Sequence, residues 1–202
     1  SIQNTNGQAI TKGPGGTYTH HRGIFFGWMR IGFEQQKLDL WSMGSGRQVH
    51  TGFKEQSAVH GVAKLVSLIN WNDKKGQLII SEERTMELSP IAAPGFLRVD
   101  FLTTVKAEAG DLQLEADPEH GGVHYRAPQE VDASKTEYFF PVAKPLPHKD
   151  VDYPWVGMNY TLGEKSYGVV EIDHPANPRG TKWSAYRDYA RFGAYPHASL
   201  KK

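Results

Sequence analysis

Short runs of alternating apolar and polar residues, each closed by turn-forming residues, constrain the fold of this chain most. Residues 77–88, 96–106 and 166–173 show the two-residue period of strands that bury one face. Residues 58–71 are rich in β-branched side chains, and a turn signal at 72–76 (NDKKG) joins them to 77–88. A long β-hairpin is therefore predicted there, with a helix over 58–69 as the alternative. The pattern predicts an all-β fold, an antiparallel β-sandwich.

Further strands are predicted at 24–31, 48–53 and 155–162, the last followed by a turn at 163–165. A chain of 202 residues is long enough for one sizeable core, so a single β-sandwich domain over 1–202 is predicted. The first residue is Ser1 rather than Met, and we interpret the chain as processed or as a fragment of a longer protein.

Composition excludes several classes of function. The 23 basic and 22 acidic side chains give a net charge of +1, so no nucleic-acid partner is expected. No apolar run approaches the roughly 18 residues of a membrane-spanning helix. The chain has no cysteine, which rules out disulfides and thiolate metal sites. No phosphate-binding loop, dinucleotide-binding glycine motif or Ser-His-Asp order is present.

Three stretches combine imidazole and guanidinium side chains with glycine or proline. They are 19–23 (THHRG), 117–126 (DPEHGGVHYR) and 174–179 (HPANPR). His124 and Arg126 are two residues apart, so on a strand they would point to the same face. Glycine and proline shape the backbone where precision is needed. We predict that the three stretches meet at one polar site.

The residues from His20 to Trp28 (HHRGIFFGW) resemble the opening motif of the PmoA-like domain family. Residues 117–126 resemble its central motif, and 174–179 and 187–193 (RDYARFG) resemble its C-terminal motifs, with Ala190 at a position where glycine is expected. The resemblance covers nearly the whole chain. It implies a β-supersandwich similar to galactose mutarotase and related carbohydrate-active domains, not the membrane-embedded methane oxygenase subunit that the family name suggests.

The resemblance also implies an origin in bacteria that degrade polysaccharides. Typical family members are longer than this chain, which implies that N-terminal strands are missing here. A periplasmic or secreted location is favoured, the expected partner is a carbohydrate, and the oligomeric state stays open.

Four residues are predicted to act as general acid and base, because an imidazole exchanges protons near neutral pH and a carboxylate can accept one. They are His21, His124, His120 and Glu119. A second set is predicted to bind the substrate through guanidinium, amide, imidazole and aromatic groups. It comprises His20, Arg22, Trp41, Arg126, His174, Asn177, Arg179 and Tyr189. For the alternating Arg187, Tyr189 and Arg191, an ion-pair ladder with Glu82, Glu83 or Asp188 is the preferred alternative.

No metal and no cofactor is predicted. His120 and His124 are four residues apart, but Gly121 and Gly122 between them argue against a helix that would present both imidazoles to one ion.

The leading hypothesis is a carbohydrate-active enzyme, of the epimerase, hydrolase or lyase type. A non-catalytic carbohydrate-binding module is the first alternative, and a metal-dependent oxidoreductase is the second. The number of titratable side chains in the motifs favours the enzyme.

Overall fold

The computed structural model describes residues 1–115, 119–147, 149 and 152–196, so Asp117 and Pro118 of the central stretch lie outside the described residues. Within these residues the backbone forms strands and one short 3-10 turn, Ala133–Lys135. The strands in chain order are β1 (Ile24–Trp28), β2 (Ile31–Phe33), β3 (Gln36–Leu38), β4 (Gly46–Val59), β5 (Val62–Asp73), β6 (Leu78–Pro90), β7 (Leu97–Ala107), β8 (Gln113–Leu114), β9 (Gly121–Arg126), β10 (Glu137–Phe139), β11 (Trp155–Leu162), β12 (Lys165–Ile172), β13 (Lys182–Arg187) and β14 (Arg191–Tyr195).

The strand pairings described below are antiparallel, and the predicted all-β fold is confirmed. The chain divides into two compact units, one formed by residues 1–29 and 114–202 and the other by residues 30–113. The single domain over 1–202 and the likeness to galactose mutarotase stay predictions. No helix among the described residues is long and apolar enough to cross a membrane.

The first unit contains a four-stranded sheet in the order β1-β9-β14-β13 and a three-stranded sheet in the order β10-β11-β12. Tyr125 and Phe192 from the first sheet share one buried cluster with Val156, Met158 and Tyr160 from the second. The two sheets therefore bury their apolar faces in a common core, as in a β-sandwich. The phenolic hydroxyls of Tyr125 and Tyr160 lie 2.9 Å apart inside this core.

Strand β9 shows how the sequence separates core from polar face. Because successive side chains alternate, Tyr125 points into the apolar core while His124 and Arg126 point to the opposite face of the sheet. On that face β14 places Arg191 opposite Arg126, and β1 places Phe25 opposite His124. The predicted shared face of His124 and Arg126 thus continues onto β14 through Arg191 and meets the aromatic Phe25 of β1.

The second unit contains the sheet β4-β5-β6-β7, in which each strand is hydrogen-bonded to the next along the chain. Its buried side chains include Val66, Ile69, Trp71, Ile79, Ile80 and Glu82. On β5 they begin at Val66, whereas none of the residues from Val62 to Leu65, next to the turn between β4 and β5, is buried. Glu82 accepts hydrogen bonds from the Trp71 indole at 2.7 Å and from two nitrogens of Arg84 at 2.7 and 3.0 Å.

Strand β6 and strand β7 agree with the predictions for 77–88 and 96–106 within two residues. The predicted strand over 58–71 is wrong at its start. His60 and Gly61 both have positive φ, of 51° and 80°, and form the two-residue turn between β4 and β5. The predicted strand over 24–31 is likewise interrupted, because Arg30 has a φ of 62° between β1 and β2.

Candidate functional site

Side chains from the first two polar stretches and from the β13–β14 turn gather on the polar face of the β1-β9-β14-β13 sheet. β9 supplies His124 and Arg126, the segment before β1 supplies His20 and His21, and β14 begins at Arg191. These segments are far apart in sequence and are brought together by the pairing of β9 with β1 and with β14. We call the group the polar cluster; it comprises Tyr18, His20, His21, Glu119, His120, His124, Arg126, Arg187, Tyr189 and Arg191.

One hydrogen-bond network crosses the cluster. Glu119 forms an ion pair with Arg187, and its backbone oxygen accepts a hydrogen bond from Arg191 Nη1 at 3.0 Å. Arg191 Nη1 also lies 3.1 Å from His124 Nδ1. Because arginine can only donate, Nδ1 is the acceptor, and the proton of the neutral imidazole is on Nε2, 3.0 Å from the Gly121 oxygen. Both ring nitrogens of His124 are therefore engaged within the protein.

The ring of His124 lies against the backbone of β14 because Gly193 has no side chain. A Cβ atom at Gly193 would collide with the Val123 oxygen and with the His124 ring. His124 is 0% exposed. Burial and the Arg191 guanidinium hold the pKa of His124 well below its ordinary value of 6.5, so this imidazole stays neutral.

His21 is buried in an aromatic stack. Its ring lies 5.0 Å from the ring of Phe25 and 5.2 Å from that of Tyr18, nearly parallel to both, and His20 meets it edge-on at 4.3 Å. Burial, followed by the effects of His20 and Arg191, lowers the pKa of His21 to about 2. The His21 imidazole is therefore neutral at physiological pH.

Arg126 is 0% exposed, and its guanidinium carbon lies 4.7 Å from the centre of the Tyr189 ring. Its Nε and Nη1 atoms are buried and have no hydrogen-bond partner among the residues that the structure describes. The buried Lys12 lies nearby and donates from Nζ to the Gly15 oxygen at 2.6 Å. Burial, followed by Arg126 and Arg22, lowers the pKa of Lys12. The neighbourhood of Arg126 is thus rich in positive charge.

Two tyrosine rings cover this part of the cluster. The Tyr18 and Tyr189 rings are 5.2 Å apart, and Tyr18 is 50% exposed. Tyr18 itself has a φ of 51°, and Ala190, which follows Tyr189, has a φ of 54°. A side chain at such an angle costs free energy relative to glycine, and such strained positions cluster at functional sites. The expected glycine at position 190 fits this backbone, although the residue is alanine.

Most of the predicted site residues lie in the polar cluster, namely His20, His21, Glu119, His120, His124, Arg126 and Tyr189. Arg22 is exposed and donates from Nε to the Thr19 oxygen at 3.1 Å. Trp41 lies in the other unit and is 2% exposed, so its ring offers no surface for a sugar to stack on. Arg187 forms an ion pair with Glu119, which is not one of the partners predicted for it. Of the predicted partners, Glu82 pairs with Arg84 and Glu83 with Lys54.

His174, Asn177 and Arg179 line a groove of about 680 Å³ in the first unit, and none of the groove-lining residues belongs to the polar cluster. His174 Nδ1 accepts a hydrogen bond from the Ala176 N–H at 3.1 Å, and Asn177 donates to Asp173 at 2.6 Å. The rest of the lining is mainly apolar or aromatic and includes Tyr153, Pro154, Trp155, Val170, Ile172, Pro175 and Pro178.

Lys12 and Tyr18 were not predicted as site residues from the sequence. Tyr18 precedes the first polar stretch by one residue, which is the only signal for it. No sequence signal points to Lys12. It lies beside the cluster because its backbone N–H donates a hydrogen bond at 2.9 Å to the backbone oxygen of Arg126, which is far away in sequence.

No group of three or more histidine, aspartate or glutamate side chains within the described part of the chain is arranged to hold a metal ion. The described residues therefore offer no set of metal ligands that would support the hypothesis of a metal-dependent oxidoreductase.

Comparison with known proteins gives a match to a sequence family, and to no individual protein. No curated protein and no solved structure matches the chain. The model of a family of unknown function (DUF6807) matches residues 2–202, and the chain therefore belongs to this family.

Proposed function

We propose that the chain is a carbohydrate-active enzyme whose reaction centre is the polar cluster. The observation that carries the proposal is the convergence of imidazole, guanidinium and phenol groups from three remote segments around the buried Arg126. Sugars present hydroxyl groups that donate and accept hydrogen bonds, together with apolar C–H faces. Partly exposed groups such as Tyr18, Tyr189 and His20 suit both kinds of surface.

Within the cluster, His20 is a candidate for general acid and base together with His120, and both are partly exposed. An imidazole exchanges protons near neutral pH. His21 and His124 are poor candidates, because both are buried and their pKa values lie far below neutrality. In this proposal His124 is a positioning residue that accepts a hydrogen bond from Arg191 and so fixes its guanidinium.

Glu119 is also better suited to positioning than to proton transfer. Its carboxylate is held by Arg187, with Arg191 Nη2 at 4.0 Å, and its side chain is 17% exposed. Removing the carboxylate would take away the ion-pair partner of Arg187, whereas Arg191 would keep its hydrogen bonds to the Glu119 backbone oxygen and to His124. The proposal covers epimerisation, hydrolysis and β-elimination, because each of these reactions needs a proton donor and a proton acceptor.

The proposal is tested by incubating the protein with neutral and uronic-acid oligosaccharides and following the products by mass spectrometry and NMR. On any sugar that is converted, His20→Gln should lower kcat by about 10²–10⁴-fold, because a positioned acid or base contributes that much. The melting temperature should stay unchanged. His50→Gln, at an exposed histidine of the other unit, is the matched control and should keep full turnover.

Unchanged turnover in His20→Gln would remove that residue from the chemistry. If no oligosaccharide is converted by the wild-type protein, the proposed enzyme is refuted.

A non-catalytic carbohydrate-binding module is the second candidate, and the groove beside His174 favours it. Trp155 and Ile172 face each other across β11 and β12, and Gly157 faces Val170 in the next position but one. A Cβ at Gly157 would touch the Trp155 ring at 3.8 Å, so the glycine keeps the strand surface low beside the indole. Such a surface, edged by His174 and other polar groups, suits a sugar ring.

The two candidates are separated by Trp155→Ala. A binding module predicts that this substitution weakens oligosaccharide affinity, measured by calorimetry, and that no sugar is converted. The enzyme predicts that turnover depends on His20 instead.

A further inference from the structure

We infer that Arg126 is the base of a binding site for a carboxylate, and that the sugar bound by the polar cluster is a uronic acid. The sugar part of this inference rests on the proposed function, whereas the anion part rests on Arg126 and its surroundings. Two buried guanidinium atoms of Arg126, Nε and Nη1, have no hydrogen-bond partner among the described residues. Leaving buried polar N–H groups unsatisfied costs free energy, which a bound acceptor would offset.

Two other arginines of the described residues, the half-buried Arg84 and the buried Arg191, have polar acceptors. Arg84 donates two hydrogen bonds to the carboxylate of Glu82. Arg191 reaches the Glu119 backbone oxygen and His124. Arg126 instead faces the ring of Tyr189, and a phenol ring offers its face to a cation without accepting N–H hydrogen bonds in the plane of the guanidinium. Among these three, Arg126 has the strongest need for an acceptor from outside the described residues.

The surrounding charge favours an anion. Lys12 is 4% exposed and Arg191 is 2% exposed, and both help to lower the pKa of the neighbouring His21. Burial lowers the pKa of Arg126, and the neighbouring positive charge of Arg191 lowers it further. The phenols of Tyr189, Tyr138 and Tyr18 raise it. A carboxylate beside Arg126 would relieve this repulsion, and its two oxygens match the planar donors of a guanidinium.

The cover over Arg126 indicates how a ligand would be oriented. The rings of Tyr18 and Tyr189 must shift for a carboxylate to reach the guanidinium, because Arg126 is fully buried beneath Tyr189. Tyr18 is half-exposed and stacks on His21 at 5.2 Å, so its outer surface is free to pack against a sugar ring. A uronic acid carries a carboxylate directly on such a ring, which fits this order of groups.

The test measures the binding of galacturonate and glucuronate by calorimetry, with galactose, glucose, acetate and sulfate as comparison ligands. We expect the two uronates to bind at least about tenfold more tightly than the neutral sugars and the simple anions. Arg126→Met should weaken uronate binding by about tenfold or more. Arg98→Met removes an exposed arginine of the other unit and is the matched control for the change in net charge.

Arg126→Lys serves as a second variant if Arg126→Met does not fold, since it keeps the charge and loses the planar fork. The preference of the wild-type protein for uronates over neutral sugars and simple anions tests the inference without either variant. Equal binding of uronates and neutral sugars, equal binding of acetate or sulfate, no binding at all, or unchanged uronate affinity in the Arg126 variants would each overturn the inference.

The outcomes also separate this inference from the proposed function. Arg126-dependent uronate binding without conversion of any sugar would support the carboxylate site and refute the enzyme. Conversion of neutral sugars that depends on His20, without a preference for uronates, would support the enzyme and overturn the carboxylate site.

Discussion

The stability of the first unit should depend on pH near neutrality through the carboxyl group of Glu171. This residue points to the inner side of β12, where Oε1 accepts a hydrogen bond from the Ala194 N–H at 3.2 Å. Burial raises the pKa of Glu171 from 4.5 to about 8, against the lowering effect of that hydrogen bond, and Asp173 adds to the rise. The carboxyl is therefore protonated in the folded protein at neutral pH.

The direction of the effect follows from the two pKa values. Between pH 4.5 and about pH 8 the folded protein keeps a proton that the unfolded chain has released, so the free energy of unfolding falls as the pH rises through this window. One pKa unit corresponds to about 1.36 kcal/mol, which gives an upper limit of about 5 kcal/mol. Glu171 keeps some exposure, and solvent screening reduces the expected loss to about 2–4 kcal/mol.

The substitution Glu171→Gln removes the titration and keeps the shape. Urea unfolding, followed by tryptophan fluorescence, should show the variant gaining about 2–4 kcal/mol relative to wild type between about pH 5 and pH 8. Comparing the two proteins cancels the opposite contribution of His21, whose depressed pKa makes stability fall as the pH drops below 6.5. Glu164→Gln, in the exposed turn after β11, is the control and should change neither stability nor its pH dependence. Equal pH dependence in wild type and Glu171→Gln would refute the assignment.

Two further substitutions test close packing and a buried charge. Gly193→Ala should destabilise the protein by about 1–3 kcal/mol or more, because the added Cβ collides with backbone and with a buried imidazole. Gly52→Ala, on a strand with nothing within 4 Å of its Cβ, should change the urea midpoint little, and equal effects of the two would contradict the packing argument. Glu82→Gln should cost about 2–4 kcal/mol in the same assay, because its amide cannot accept all the hydrogen bonds from Arg84 and its neighbours. Glu83→Gln breaks an exposed ion pair and should cost less than about 1 kcal/mol; a similar cost for both would argue against the buried network.

Local patterns in the sequence predicted many of the strands. Alternation predicted strands β6, β7 and β12 and the shared face of His124 and Arg126. The turn at His60–Gly61 was missed because apolar residues flank it, Ala58 and Val59 before and Val62 and Ala63 after, with no proline, asparagine or aspartate to mark it. The turn needs positive φ at His60 and Gly61, and only the glycine indicates this in the sequence. A single glycine before a valine is compatible with a strand as well as with a turn.

The candidate site depended on pairing between distant strands, which one sequence does not reveal. Arg191 reaches His124 because β14 lies beside β9, and no local feature near residue 191 indicates that neighbour. Trp41 was assigned to a sugar platform by its residue type, whereas burial decides whether an aromatic ring is available. His174 carries a motif like those of the cluster, yet its loop follows β12 of the other sheet and lines the groove.

The β4-β5-β6-β7 sheet should be rigid at one end and soft at the other. Buried side chains occupy the half around Trp71, while the half near His60 is held by backbone pairing and by exposed ion pairs such as Lys64–Glu55. Exposed ion pairs contribute little, and backbone hydrogen bonds that water can reach open easily. Amide hydrogens should therefore exchange with deuterium progressively faster from Ile69 towards Val62, as if the sheet frayed from its free turn. A protease would find its first access to this unit at the same end.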